Sequence, residues 1–228
     1  NAMRKEFEEA INQKLTNLQT DQLKNLKIRI DVTMPGKKVS AGHLHPLTLV
    51  EEQIRSFFNK MNFSAIEGPE IETEHYNFDA LNIPENHPAR DMWDTFWLKG
   101  SEKLLLRTHT SPVQIRYMEE HHPPFQVIAS GRAFRVEAID ATHHINFHQV
   151  EGLMVGKDIS LANFRYIIES FLNNFFGRKI EVRFRPSYFP FVEPGLEIDI
   201  KFKNNWLEVM GAGMVHAQVF KAVHYNPD

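Results

Sequence analysis

The chain contains no cysteine. That absence excludes a disulfide framework, any thiolate metal site and a cysteine nucleophile, and it fits a reducing compartment, for which we expect the cytoplasm. Long apolar runs are missing too: no stretch approaches membrane-spanning length, and the N-terminus has no signal-peptide core. Charge of one sign is also lacking. Lys and Arg number 26 against 29 Asp and Glu, a net charge of −3, so bulk charge does not mark a nucleic-acid binder, although local basic patches are compatible with it. Internal repeats and low-complexity tracts do not occur. Phenylalanine is what the chain has in plenty, 18 residues against five tyrosines, which points to an aromatic-rich core or pocket. At 228 residues, 42% apolar and 24% charged, the composition is that of a soluble globular protein, with room for one large domain or a domain with an appendage.

Periodicity divides the chain. Asn-Ala-Met at 1–3 reads as an expression remnant and is set aside. Residues 4–28 predict a polar helix whose apolar stripe (Phe7, Ile11, Leu15, Leu18, Leu26) is thin, as in a helix that packs elsewhere or is the stub of a longer arm. Residues 29–46 read as a linker with a turn at Pro35-Gly36. A firm amphipathic helix follows, carrying Leu47, Val50, Ile54, Phe57, Phe58 and Met61 at three- and four-residue steps. Residues 74–100 have no clean period, and a loop that long inside a domain is usually functional. Strands are predicted at 103–107, 126–130, 133–138, 148–155, 180–185, 196–202 and 206–210. They enclose one clear helix, capped by Ser160, ended by Gly177 and lined by Phe164, Ile167, Ile168, Phe171, Leu172 and Phe175. The expected fold is α+β: an antiparallel β-sheet flanked by helices over 47–228, preceded by a helical segment.

The densest chemistry lies at 131–152, GRAFRVEAIDATHHINFHQVEG. Strand alternation puts Arg135 and Glu137 on one face, and Phe147, Gln149 and Glu151 share a face of the returning strand. A guanidinium, two carboxyls, an amide and a ring suit a ligand that combines an amino acid with a nucleotide. Solvated cross-strand ion pairs would give the same pattern. Against that plainer reading stand Phe147 among charged neighbours and a turn, IDATHHIN, longer than a tight hairpin needs.

FRVE (134–137), a loop, then HHINF (143–147) resembles the second signature of class II aminoacyl-tRNA synthetases. RTHTSPVQIRYM (107–118), FHQVEGL (147–153), FRPSYFPFVEPG (184–195) and WLEVMGAGMVH (206–216) narrow the resemblance to the α-subunits of bacterial-type phenylalanyl-tRNA synthetases. It runs from about residue 40 to the end of the chain. That family activates L-phenylalanine with ATP, aided by Mg2+, and passes the acyl group from the adenylate to tRNA(Phe). No covalent enzyme intermediate forms, so positioning and charge neutralisation carry the catalysis. The resemblance implies an α₂β₂ heterotetramer with a β-subunit that also edits, and a dimer-like interface at the 47–61 helix and the strand to Pro69.

The resemblance also implies residue roles. Arg135 grips the α-phosphate and carboxylate as the catalytic group, Glu137 accepts from the adenine amine, Phe147 stacks on the purine, and His143 reaches the outer phosphates. Gln149 and Glu151 hold the substrate ammonium with His109 and Ser111 nearby, Phe189 and Phe191 meet its ring edge to face, and Trp93 touches its polar end. Glu193 is implied as the magnesium carboxylate. Two departures stand out. HAQV (216–219) replaces the usual His-Pro, and the chain stops at HYNPD before any third class II signature. The resemblance therefore implies an incomplete subunit with weak activity by itself, and it leaves open an idle synthetase-like module that binds an amino acid or adenylate.

Overall fold

In the computed structural model, residues 2–25, 33–37, 39–87, 95–100, 103–140 and 143–226 are described. They fall into two units, Asn1–His43 and Leu44–Asp228. The first is built on helix α1 (Ala2–Asn25). Phe7, Ile11, Leu15 and Leu18 of its thin stripe are all exposed.

In the second unit the elements run α2 (Pro46–Lys60), β1 (Ser64–Ile66), β2 (Ile71–Thr73), α3 (Glu74–Asn77), a 3-10 turn (Asp79–Leu81), β3 (Leu104–Leu106) and α4 (Pro112–Glu120). Then follow β4 (Phe125–Phe134), β5 (Asn146–Val155), α5 (Leu161–Phe175), β6 (Val182–Phe189), β7 (Val192–Phe202), β8 (Asn205–Val215) and α6 (Ala217–Ala222). Helix α2 starts where its chemistry dictates: Pro46 occupies the first turn, and the Leu47 N–H donates to Nδ1 of the cap residue His45 at 3.2 Å. Its apolar stripe buries Phe58 beside Phe63, Ile128 and Phe171. Gly177 ends the α5 segment at φ 61°, a left-handed backbone that glycine adopts without strain.

β6, β7 and β8 form an antiparallel meander whose Ile198 and Ile200 pack under Ile168 and Leu172 of α5. β4 and β5 pair antiparallel from Phe125↔Val155 to Phe134↔Asn146. β1 joins the free edge of β4 in parallel, so this sheet is mixed and not purely antiparallel. A parallel neighbour needs a crossover, and the chain between β1 and β4 supplies it with β2, β3 and α4. Helix α4 is fixed to the β2–β3 ribbon by an ion pair. Arg116 donates Nε and Nη2 to the buried Glu72 carboxylate at 2.9 and 2.7 Å.

Two expectations are corrected. The strand predicted at 133–138 ends at Phe134: its N–H faces away from β5 to the Arg107 carbonyl at 2.9 Å, and a last cross-strand bond runs from the Arg135 N–H to the Ile145 carbonyl at 3.1 Å before the chain turns. Arg135 and Glu137 therefore do not alternate on a sheet face, and the Glu137 N–H turns back onto the Arg135 carbonyl at 3.1 Å. The long irregular stretch is partly core: α3 is capped by Thr73, and Phe78, Ala80, Leu81 and Ile83 are buried. Burying Phe78, Leu81 and Ile83 is worth about 1.5–3 kcal/mol each, which secures the segment despite its short helices.

Candidate active site

The β4–β5 hairpin is the floor. Antiparallel register sets Phe147, Gln149 and Glu151 opposite Ala133, Gly131 and Ala129, so small side chains on β4 leave that face open. Arg107 fills part of the space. It is 2% exposed and donates to the carbonyls of Arg132 (2.8 Å), Gly68 (3.1 Å) and Pro69 (3.2 Å). A Cβ on Gly131 would sit 2.1 Å from Arg107 Nη2. Gly131→Ala is expected to destabilise the fold by about 3 kcal/mol, because it displaces a buried cation held by three main-chain carbonyls. Thermal or urea unfolding measures this.

The loop 107–111 lies over the floor and binds it at three points. The Thr108 carbonyl accepts from Arg135 Nε at 3.1 Å, the Thr110 N–H donates to Gln149 Oε1 at 3.2 Å, and Ser111 Oγ donates to Glu151 Oε1 at 2.9 Å. Gln114 Nε2 adds a bond to the second carboxylate oxygen of Glu151 at 2.5 Å. Burial pushes the Glu151 carboxyl above its ordinary 4.5, against hydrogen bonds from Ser111, Thr110 and Gln114 that favour the anion. Such a carboxylate is set to take an ammonium from water. His109, 4% exposed, is held neutral: burial, with the Arg135 cation next in weight, pushes it down to about 3.

Arg135 is half-buried beyond the end of β4, with its guanidinium carbon 4.9 Å from the Phe147 ring centroid. Burial lowers its pKa, opposed by Glu137 and Glu151, yet a guanidinium keeps its charge throughout the working range of proteins. Glu137 is half-buried beside it. On the far side of His109 the aromatic wall begins. The ring centroids of His109 and Phe191 are 6.4 Å apart, and those of Phe191 and Phe189 are 6.0 Å apart at 28°, a stacked pair. Phe189 ends β6 and Phe191 lies in the turn to β7. The Phe189 ring rests on Gly211, where a Cβ would approach to 2.7 Å.

The structure thus gathers Arg135, Phe147, His109, Ser111, Gln149, Glu151, Phe189 and Phe191 around one loop. Two residues stand apart from that network. His143 is exposed, with its N–H bonded to Asp140 Oδ1 at 2.8 Å and its ring on the same carboxylate at 2.9 Å. Glu193 is exposed and 3.2 Å from His216 Nε2. Trp93 lies outside the described residues. Asp140 raises the His143 pKa above 6.5, first through the hydrogen bond and then through its charge. This pairing stabilises the loop below the ordinary value and is lost as pH rises through the raised one. Asp140→Asn is expected to return the His143 titration, followed by NMR, toward 6.5.

Sequence reasoning missed Arg107, Gln114 and Gly131. For Gln114 a signal existed. Ser111-Pro-Val-Gln114 is a capping-box pattern at the start of α4. Ser111 makes no cap bond there, and both side chains turn to Glu151 instead.

A mixed sheet beside an antiparallel meander, with this loop between them, is a class II aminoacyl-tRNA synthetase core. The family model "tRNA synthetases class II core domain (F)" matches residues 29–228. The chain is 52% identical over 203 residues to the phenylalanine–tRNA ligase alpha subunit of Prochlorococcus marinus, a match covering 89% of this chain and 60% of the relative. With that of Desulfotalea psychrophila it shares 46% over 242 residues, covering 100% of this chain and 71% of the relative. The chain belongs to the phenylalanine–tRNA ligase alpha-subunit family. It spans 60% and 62% of the length of two of these relatives, from Prochlorococcus marinus and Legionella pneumophila. The fold is also that of a crystal structure of pyrrolysyl-tRNA synthetase from Desulfitobacterium hafniense, with a TM-score of 0.62, 18% identity and coverage of 96% of this chain and 72% of that one.

Proposed function

We propose that the chain forms the catalytic site of an ATP-dependent phenylalanine–tRNA ligase, which makes phenylalanyl-adenylate and transfers the acyl group to tRNA(Phe). The observation that carries this reading is the single loop 107–111, which ties Arg135 on one side to Gln149 and Glu151 on the other. One half-site suits phosphate and the other suits an ammonium, at the spacing of one loop. The substrate ammonium is held by Glu151 and Gln149. Neutral His109 and the Phe189–Phe191 pair border the ring, and edge-to-face or stacked contacts add about 0.5–1.5 kcal/mol each. The substrate carboxylate attacks the α-phosphorus in line, and Arg135 neutralises charge as it grows there. Phe147 offers a face for the purine, Glu137 an acceptor for its amine, and His143 a cation toward the outer phosphates. Trp93 stands as a further contact to the substrate's polar end.

Magnesium bound with ATP would neutralise phosphate charge. Glu193, an exposed hard carboxylate, would hold it together with phosphate oxygens, the usual manner for this ion. Among the described residues no group of three or more His, Asp or Glu side chains gathers as an all-protein cage. No helix among them is long and apolar enough to cross a membrane. We place the enzyme in the cytoplasm, as the α chain of an α₂β₂ assembly with a β-subunit. Phenylalanine-dependent ATP–pyrophosphate exchange by the assembled enzyme tests the reading. Exchange that needs phenylalanine and falls in Glu151→Gln supports it, and exchange indifferent to the amino acid overturns it.

A further inference from the structure

The segment after β2, EHYNFDALN (74–82), reaches two walls of the candidate site with two asparagines. Asn77 is fully buried, donates Nδ2 to Thr108 Oγ1 at 3.0 Å and accepts the Thr108 N–H on Oδ1 at 3.1 Å. Two bonds from one amide to one residue fix both the rotation and the depth of Thr108, whose carbonyl receives Arg135. Five residues on, Asn82 stands at φ 62° and donates Nδ2 to the Pro190 carbonyl at 2.6 Å, between Phe189 and Phe191. The buried side chains of Phe78, Ala80 and Leu81 anchor the span between them in the core.

We propose that Asn77 and Asn82 are positioning residues that set the polar and the aromatic walls of the phenylalanyl-adenylate site from one rigid segment. This rests on the function proposed above. Neither side chain needs to touch substrate: Asn77 acts through Thr108 and thereby on Arg135, and Asn82 acts through the β6–β7 turn. The two should fail differently. Asn77→Ala loosens the loop that aligns the reacting groups, and a misplacement of about 1 Å costs on the order of a hundredfold in rate. Asn82→Gly keeps the left-handed backbone permissible and removes one hydrogen bond from the aromatic wall.

The test is pyrophosphate exchange by the assembled synthetase, with each rate divided by active sites titrated from the burst of adenylate formation. Asn77→Ala is expected to lower kcat per titrated site by on the order of a hundredfold. Asn82→Gly is expected to raise KM for phenylalanine up to about tenfold and narrow the preference over tyrosine, with kcat and KM for ATP held. A purely structural role lowers the number of titrated sites and leaves their constants alone, and that result in both variants overturns the proposal. The same loss across every constant in both variants overturns it too. If Asn77→Ala does not fold, Asn82→Gly decides: an unchanged KM for phenylalanine overturns the proposal. A wild-type enzyme without phenylalanine-dependent exchange overturns the functional reading beneath it instead.

Discussion

Arg135→Lys is expected to lower kcat for phenylalanine-dependent exchange by about 10²–10³-fold, the cost of removing one transition-state donor. The geometry explains why a retained positive charge does not suffice. Arg135 Nε is committed to the Thr108 carbonyl at 3.1 Å, and the guanidinium plane stays within 4.9 Å of the Phe147 centroid. Lysine has one nitrogen and no plane, so it cannot hold the loop, cover the ring and meet a phosphate at once. Because that phosphate charge grows on the way to the transition state, the loss should fall more on kcat than on either KM. Steady-state exchange kinetics of the two proteins measure the split.

Glu151→Gln should damage binding and spare stability. A carboxylate facing an ammonium in a water-poor site is worth about 2–5 kcal/mol of affinity, so KM for phenylalanine should rise by roughly a hundredfold or more, with KM for ATP little changed. The glutamine amide also turns a donor toward the Gln114 amide, where an acceptor stood. Stability follows the opposite logic. Burial raises the Glu151 pKa above 4.5, so in the unliganded protein its contribution is present below that value and is lost as pH rises through the raised one. At neutral pH relief from burying that charge therefore offsets the lost acceptor, and the neutral isostere is expected to unfold within a few degrees of the wild type. An ammonium prefers the ionised carboxylate, so phenylalanine binding should weaken as pH falls through the raised value and should release a proton there. Calorimetric titration in buffers of different ionisation enthalpy reads that proton.

The readable and unreadable parts of this fold divide by length and by the atoms used. α2, α5 and the β4–β5 hairpin repeat their apolar spacing often enough to be recognised. α3 and α6, with four and six residues, complete too few turns to show a period. On β5, plain alternation predicts that Gln149 and Glu151 share a face, and the register bears that out. Arg135 reaches the site by another route, just beyond the end of its strand, because the chain turns there, with the Glu137 N–H bonded back to the Arg135 carbonyl. Two of the three ties of loop 107–111 use the Thr108 carbonyl and the Thr110 N–H, main-chain groups that no side-chain pattern announces, and only the Ser111 hydroxyl binds the floor through a side chain. Motif resemblance, and not periodicity, pointed to that loop.

One measurement reaches the central claim, that both half-sites belong to one ligand. A non-hydrolysable phenylalanyl-adenylate analogue is added to the protein, and to Arg135→Lys and Glu151→Gln, and unfolding temperatures are compared with and without it. Binding to the native state alone must raise the transition by mass action. The account predicts a clear rise for the wild type, larger than with the tyrosyl analogue, and little or none in either variant. An equal rise in all three proteins would contradict it, because the ligand would then be bound without the guanidinium and carboxylate that the loop holds together.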